Sequence, residues 1–379
     1  MNRVAVEPEV LRWARRRSRR DDLDRRFPKL EAWEREEVKP TLKQLEAFAR
    51  ATRTPIGYLF LSEPPLEVLP IKDFRTMGDK DVDRPSPDLL DTLYLCQQRQ
   101  DWYREEARSG GEEPNGFIGS LDASVDIRMA GSLIRDALSF DVEQRARLRT
   151  WTEALRQFIA QAESLGVLVM VSGVVGNNTH RKLDPGEFRG FALSDPFAPL
   201  VFVNGADTKA AQMFTLAHEI AHLWLGETGV SNIQALPTPD HAVERWCNKV
   251  AAELLVPWDA ISSEFDVSAD LEEEIQRLAR RFKVSTLVIL RSLSDIGELD
   301  RDRFWLAYWE EMARIRDYGL PGGGNYYQNA EVRASRRFVR ILVASTLEGR
   351  TSFTEALRLL DLKKASALKE IARRTDLAV

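Results

Sequence analysis

The sequence predicts an α+β fold that is mostly helical, with one small β-sheet between helical segments. Over most of the 379 residues, apolar side chains recur at the three- and four-residue spacing of a helix face. Between residues 166 and 203 the pattern changes to short runs of β-branched and aromatic residues, which are typical of buried strands. Apolar residues make up 44% of the chain, which is enough to form cores in more than one domain.

Residues 1–62 predict a separate domain of short helices. Blocks of helically spaced apolar residues are separated by tight turns, and the fourth block opens at Thr41. Residues 63–86 predict an extended linker, because its prolines remove amide donors and disfavour helix. Residues 1–60 carry 15 Lys/Arg against 10 Asp/Glu, a balance that fits either phosphate contacts or solvated helix faces.

Residues 87–260 predict the domain that contains the strands, preceded by helices. Gly166–Val171 is a candidate buried strand. Phe188–Leu193 and Leu200–Val203 flank a turn-like segment and predict a hairpin, which we expect to offer an edge strand to an extended peptide. Residues 261–379 return to helical spacing and predict a C-terminal helical domain.

The cysteine content and the hydropathy pattern predict a cytoplasmic protein with no membrane association. The chain has two cysteines, Cys96 and Cys247, without the spacing of a disulfide framework or a thiolate metal site. The first nine residues lack the apolar core of a signal peptide. The longest apolar stretch, Leu165–Val171, is too short to span a bilayer.

A helical segment at residues 208–225 contains His218, Glu219 and His222 in the spacing His-Glu-x-x-His. Side chains four residues apart lie on one face of a helix, so both imidazoles can reach the same metal ion. Glu219 is rotated by about 100° around the helix axis, where its carboxylate can accept a proton from water at the metal. The alternative is a chance pattern with two partly buried histidines.

A catalytic zinc site needs a third protein ligand, and the helical segment at residues 241–255 offers candidates. Glu244 and Asn248 are one turn apart, so that if Glu244 binds zinc, Asn248 can orient a ligand imidazole. Glu253 lies nine residues after Glu244, on the opposite side of the helix. The preferred third ligand is therefore Glu244, and a structural role is the alternative for Glu253.

Hydrolysis by water activated at such a metal also needs a group that stabilises the developing oxyanion. The two remaining histidines, His180 and His241, are the candidates. An ordinary surface position is the alternative for each.

Phe214–His222 and Glu244–Pro257 resemble the signature of the ImmA/IrrE family of metallo-endopeptidases. The resemblance covers about residues 165–260 and implies a thermolysin-like (gluzincin-type) core with one Zn²⁺ per chain. Carried over to this sequence, the metal ligands are His218, His222 and Glu244, and the general base is Glu219. The resemblance also implies a regulatory, stress-related endopeptidase that cleaves a partner protein such as a repressor or an antitoxin.

Residues 23–60 resemble the helix-turn-helix of phage-repressor-like (Xre) regulators. The resemblance implies a third helix near Lys29–Arg35 that enters the major groove of double-stranded DNA. The basic stretch Arg15–Arg20 adds further candidate phosphate contacts. The main candidate DNA contacts are Arg25, Arg26, Lys29, Arg35 and Lys39. The alternative role of this domain is protein docking or dimerisation.

Two functions follow from these patterns. The first is a zinc-dependent endopeptidase of regulatory type. The alternative is a DNA-binding transcriptional regulator or antitoxin whose zinc fold mainly binds a partner protein. A purely structural zinc site is disfavoured, because such sites close all four positions with Cys or His. The sequence leaves the oligomeric state open, a homo-oligomer included.

Overall fold

The computed structural model describes most of the chain, in two compact units. The described residues are 3–74, 85–231, 242–317 and 332–374. The N-terminal unit consists of residues 1–70 and 79–93, and the main unit of residues 71–78 and 94–379. The finer division into four segments stays a prediction.

The N-terminal unit consists of short helices around an aromatic core. The helices are α1 (Pro8–Arg17), α2 (Leu23–Arg26), α3 (Leu30–Glu34) and α4 (Leu42–Thr52), followed by a 3₁₀ turn at Ile56–Phe60. Thr41 caps α4 in a capping box with Gln44, because each side chain bonds the other's backbone amide. Phe27, Trp33 and Phe48 pack against one another with ring centroids 5.6–6.3 Å apart. The short helices predicted from the spacing are therefore present.

The remaining elements alternate helices with a small set of strands. The helices are α5 (Pro87–Ser109), α6 (Ile127–Ala137), α7 (Val142–Ala146), α8 (Trp151–Ser164), α9 (Lys209–Leu225), α10 (Ala242–Leu255), α11 (Trp258–Glu264), α12 (Leu271–Phe282), α13 (Thr286–Asp295), α14 (Arg301–Asp317), α15 (Arg336–Leu347), α16 (Phe353–Leu359) and α17 (Ala365–Arg374). The strands are β1 (Lys72–Asp73), β2 (Leu168–Ser172), β3 (Val174–Val175), β4 (Asn178–Lys182), β5 (Gly190–Leu193), β6 (Leu200–Asn204) and β7 (Gly229–Ser231). Among the described helices, none is long and apolar enough to cross a membrane. The content is mostly helical with a small sheet, as the sequence predicts.

Five of the strands form one mixed sheet in the order β1-β7-β5-β6-β2, while β3 and β4 form a separate hairpin. The predicted hairpin is present, since β5 and β6 pair antiparallel with Phe191 opposite Phe202. The prediction that it offers an edge strand is wrong. β7 pairs with the outer side of β5, and β2 pairs in parallel with the outer side of β6, so both sides of the hairpin are already hydrogen-bonded.

The core of the main unit lies between this sheet and helices α8, α9 and α10. Helix α9 packs against β5 and β6, and α10 and α8 pack against α9. Val201, Leu216, Ile220 and Val250 are fully buried in this core. The core therefore holds α9 between the sheet and α10, which fixes its polar residues relative to both.

Candidate metal centre

Helix α9 brings the His-Glu-x-x-His residues into the interior of the main unit. The helix begins after Thr208, whose side chain accepts a hydrogen bond from the amide of Ala211, and it ends at Gly226 in the left-handed conformation. His218 and Glu219 are fully buried and His222 is 1% exposed. Three ionisable side chains on adjacent turns at this depth need polar partners.

The partner of both histidines is Glu244, on the first turn of α10. Nε2 of His222 lies 2.9 Å from Oε1 of Glu244, and Nε2 of His218 lies 3.2 Å from Oε2. The two Nε2 atoms lie 3.0 Å from each other. The structure thus brings together the three side chains predicted to be metal ligands.

The donor set and its geometry fit a tetrahedral metal ion. Atoms separated by 2.9–3.2 Å are close to the edges of about 3.3 Å that a tetrahedron has when its metal bonds are roughly 2.0–2.1 Å long. Two imidazole nitrogens and a carboxylate direct their lone pairs at one buried point. A metal cation at that point can accept all of these lone pairs, so that none of the buried polar groups lacks a partner. His218, His222 and Glu244 could therefore hold a metal ion.

The electrostatics of the cluster favour the forms that bind metals. Burial raises the pKa of Glu244, but the facing imidazoles of His218 and His222 have the larger combined effect and lower it well below its usual range. Burial, together with the neighbouring His218, lowers the pKa of His222. Glu244 is consequently ionised and His222 neutral near neutral pH, and these are the forms that ligate metal ions.

Glu219 lies between α9 and the sheet. Within the described residues, neither oxygen of its carboxylate accepts a hydrogen bond with normal distance and angles. Burial and the negative charge of Glu244 raise the pKa of Glu219 well above its usual value, and Ser231 partly offsets this rise. Gly190 on β5 makes room for the carboxylate, since a Cβ atom there would lie 2.9 Å from Oε1 of Glu219. Glu219 is thus held as a buried carboxyl group with a high proton affinity.

One contact of the cluster was not predicted from the sequence. Phe74, which follows β1, stacks on the imidazole of His222 with ring centroids 5.5 Å apart and an angle of 16°. Its amide donates to the carbonyl of Val230 on β7. Gly229 leaves space for the ring, since a Cβ atom there would lie 2.3 Å from Cε2 of Phe74. No sequence signal links Phe74 to His222, because 147 positions separate them.

Of the other residues predicted near the metal, the structure describes Asn248 and His180. Asn248 is half-buried on α10. Neither imidazole Nδ1 has a hydrogen-bond partner within the described residues, so the contact expected from Asn248 is not made. His180 is exposed on β4, and His241 lies outside the described residues.

Glu253, the alternative third ligand, is buried at the far end of α10. Its Oε2 accepts a hydrogen bond of 3.0 Å from the amide of Trp258. Its Oε1 lies 3.9 Å from Arg135. These contacts agree with a structural role near the helix end.

The main candidate DNA contacts lie on the surface of the N-terminal unit. Arg25, Arg26, Lys29, Arg35 and Lys39 are all exposed. Arg35 pairs with Glu31 at 3.5 Å. Arg17, from the neighbouring basic stretch, is half-buried and donates to Glu67 at 2.7 Å. Arg17 thus has a carboxylate partner within the N-terminal unit, and the DNA contacts stay a prediction.

Comparisons with known proteins match two parts of the chain. Residues 162–294 match the family model described as the IrrE N-terminal-like domain (Peptidase_M78), and residues 334–374 match a domain of unknown function (DUF8813). Over 156 residues the chain is 27% identical to the radiation response metalloprotease IrrE of Deinococcus radiodurans. The aligned region is 40% of this chain and 46% of that relative, so the chain spans less than half of the relative's length. The part of the chain that contains the cluster is thus similar to a metallopeptidase domain.

Proposed function

We propose that this protein is a zinc-dependent endopeptidase of regulatory type. The observation that supports this most directly is the convergence of His218, His222 and Glu244 at 2.9–3.2 Å, with the buried Glu219 on the same helix. The match of residues 162–294 to a peptidase family supports it independently of the geometry. We assign zinc because two imidazoles and one carboxylate are a ligand set of catalytic zinc, which keeps a further position open.

In this proposal the ligands and the base have separate roles. His218 and His222 would hold the ion through their imidazole nitrogens, and Glu244 would hold it through its carboxylate. When bound, zinc acts as a Lewis acid that polarises the scissile carbonyl and lowers the pKa of a water molecule. Glu219 takes the proton of the attacking water and later gives it to the leaving amine. Burial serves this role, because a carboxylate with a raised pKa accepts a proton more readily.

We further propose that the substrate is a partner protein, such as a repressor or an antitoxin, in the cytoplasm. The similarity to a radiation response metalloprotease supports a regulatory substrate. The exposed basic side chains of the N-terminal unit support a role near DNA. Both cysteines are buried free thiols, as expected in a reducing compartment.

The proposal is tested by comparing the wild type with Glu219→Gln. The change removes the base but leaves the three proposed ligands, so we expect equal zinc content and loss of cleavage by at least about a hundredfold. Zinc is measured by metal analysis, and cleavage is measured on the products of neighbouring genes. Glu298→Gln is the matched control, because Glu298 is exposed and far along the chain from the cluster.

The same experiment separates the alternative function. If the zinc fold mainly binds a partner, Glu219→Gln should regulate its target as the wild type does. Cleavage that persists in Glu219→Gln would exclude Glu219 as the base.

A further inference from the structure

A cavity of about 930 Å³ lies in the main unit, and none of its lining residues belongs to the histidine cluster. Its walls come from α8, β2, the first turn of α9 and α15. Its size is within the range of roughly 300–1,000 Å³ of sites for small molecules. Helix α15 belongs to the segment that matches a domain of unknown function, so the cavity joins that segment to the peptidase-like region.

Most of the charged side chains that line the cavity are basic. Its basic side chains are Arg156, Lys209, Arg336, Arg337 and Arg340. Within the described chain, Arg156, Arg336 and Arg340 make no ion pair with a carboxylate. Arg336 and Arg340 are four residues apart and therefore lie on one face of α15. Burial lowers the pKa of Lys209, and no carboxylate offsets this effect.

The single acidic residue of the lining does not balance these charges. Glu163 is buried and accepts hydrogen bonds from the hydroxyl of Ser335 at 2.6 Å and from the amide of Arg337 at 3.4 Å. Burial raises its pKa, and these hydrogen bonds and the charge of Arg336 partly offset the rise. Glu163 is thus used to hold the start of α15, and the cavity keeps an excess of positive charge.

Part of the cavity lining is an apolar wall. Leu155, Val169 and Val171 are buried side chains of this wall, and Ile159 and Ile341 extend it. A ligand that fits both features has an anionic group for the arginines and a flat or apolar part for the aliphatic wall. We propose that this cavity binds a nucleoside diphosphate or triphosphate, with its phosphates on Arg336 and Arg340.

A small molecule fits this cavity better than duplex DNA does. The basic residues lie around a concavity instead of along an extended stripe, and buried aliphatic side chains form one wall. Arg156, Arg336 and Arg340 are exposed, but phosphate contacts to a duplex would need such cations spaced along its backbone. Duplex binding is therefore the competing outcome of the test.

The cavity also contacts the helix that carries the proposed catalytic residues. Lys209 and Gln212 line the cavity on the first turn of α9, and His218 follows on the same helix about 14 Å from Lys209 at 1.5 Å per residue. A nucleotide that binds Lys209 would link α15 to this helix. Control of cleavage by the nucleotide rests on the proposed function, whereas binding of the nucleotide does not.

The test is calorimetric titration of the zinc-loaded full chain with ADP, pyrophosphate and adenosine. We expect one ADP per chain, with weaker binding of pyrophosphate and still weaker binding of adenosine. The double variant Arg336→Gln/Arg340→Gln should bind ADP at least roughly tenfold more weakly, because it loses two charge-assisted contacts. Arg373→Gln, an exposed arginine on α17 outside the cavity, should bind ADP as the wild type does. Circular dichroism checks that the variants are folded.

Several results would overturn the proposal. The first is that neither ADP nor pyrophosphate binds. The second is that the double variant and the wild type bind ADP with equal affinity. The third is that duplex DNA binds in a way that depends on both arginines while ADP does not bind. Pyrophosphate that binds as tightly as ADP would exclude the nucleoside part. ADP binding should persist in Glu219→Gln, so failure of the peptidase proposal and failure of this one are distinguishable.

Discussion

Gly190 determines how closely the carboxylate of Glu219 approaches the sheet. A Cβ atom at this position would lie 2.6 Å from Cγ2 of Thr215, 2.9 Å from Oε1 of Glu219 and 2.9 Å from the carbonyl oxygen of Phe202. The carbonyl belongs to the paired strand β6 and cannot move without breaking the sheet. A side chain at residue 190 must therefore displace α9 or its carboxylate.

We expect Gly190→Ala to destabilise the protein by about 1–3 kcal/mol, which is the usual cost of overpacking. The rate of cleavage should fall by a larger factor than the affinity for zinc, because the added methyl group contacts Glu219 and none of the three proposed metal ligands. Urea unfolding, metal analysis and cleavage assays measure the three effects. Gly116→Ala is the control, since nothing lies within 4 Å of a Cβ atom at residue 116. Equal stability and activity of the two variants would contradict this role of Gly190.

Glu253 gives the protein a specific pH dependence of stability. Burial raises its pKa from 4.5 to about 7, although the amide of Trp258 and the charge of Arg135 oppose the shift. Between these two pH values the folded protein keeps a proton that the unfolded chain has released. The contribution of Glu253 to stability is therefore greatest below pH 4.5 and falls as the pH rises towards 7.

We expect Glu253→Gln to remove this dependence, because glutamine is neutral throughout and its carbonyl can still accept from Trp258. The variant should be similar to the wild type at the acidic end of the window. At the neutral end it should be more stable, by about 3 kcal/mol at most. Denaturant unfolding of both proteins at the two ends measures the difference. A difference that does not change with pH would contradict the raised pKa.

At the scale of elements, the helices and strands that the sequence predicts correctly are those whose own residues show a helical spacing or a turn between apolar runs. The spacing of apolar residues predicts α9 and α10, and the turn between two apolar runs predicts the β5–β6 hairpin. The neighbours of that hairpin have no such signal, because β2 and β7 pair with it from distant parts of the chain. This is why the edge-strand prediction was wrong and why the strand at Lys72–Asp73, within the predicted linker, was missed.

The same limit applies to the candidate site. His218, Glu219 and His222 could be predicted because helix geometry relates them, and Glu244 could be predicted with the help of a known family signature. Phe74 could not be identified, because its contact with His222 depends on the parallel pairing of β1 with β7. Pairing between short strands is set by tertiary packing, which periodicity does not report.

We expect Phe74→Ala to weaken zinc binding by roughly tenfold, since the ring restricts the orientation of a proposed ligand. The loss of a buried phenyl ring should also destabilise the protein by about 3 kcal/mol. Competition with a chelator measures the affinity, and urea unfolding measures the stability. Phe74→Leu is the matched variant, because it keeps apolar volume without ring stacking. Zinc affinity in Phe74→Ala equal to that of the wild type would show that the stacking has no role in binding.

At the scale of the whole molecule, the features fall into separate parts of the chain. The buried cluster lies within residues 162–294, the basic cavity joins this region to residues 334–374, and the exposed DNA-contact candidates lie in the N-terminal unit. Composition and the proline-rich segment predict that the chain has several modules. They do not predict the cavity, because its walls come from elements far apart in the sequence.

The central claim is that side chains from two helices form one zinc site, and zinc titration of the metal-free full chain tests it most directly. We expect the wild type and the exposed control Glu298→Ala to bind one ion per chain. Glu244→Ala should bind zinc much more weakly than the wild type. Loss of a group that only hydrogen-bonds a metal ligand already weakens binding by roughly 10- to 100-fold, and we expect the loss of a ligand to cost more. If Glu244→Ala binds one zinc ion with the affinity of the wild type, the proposed site is wrong.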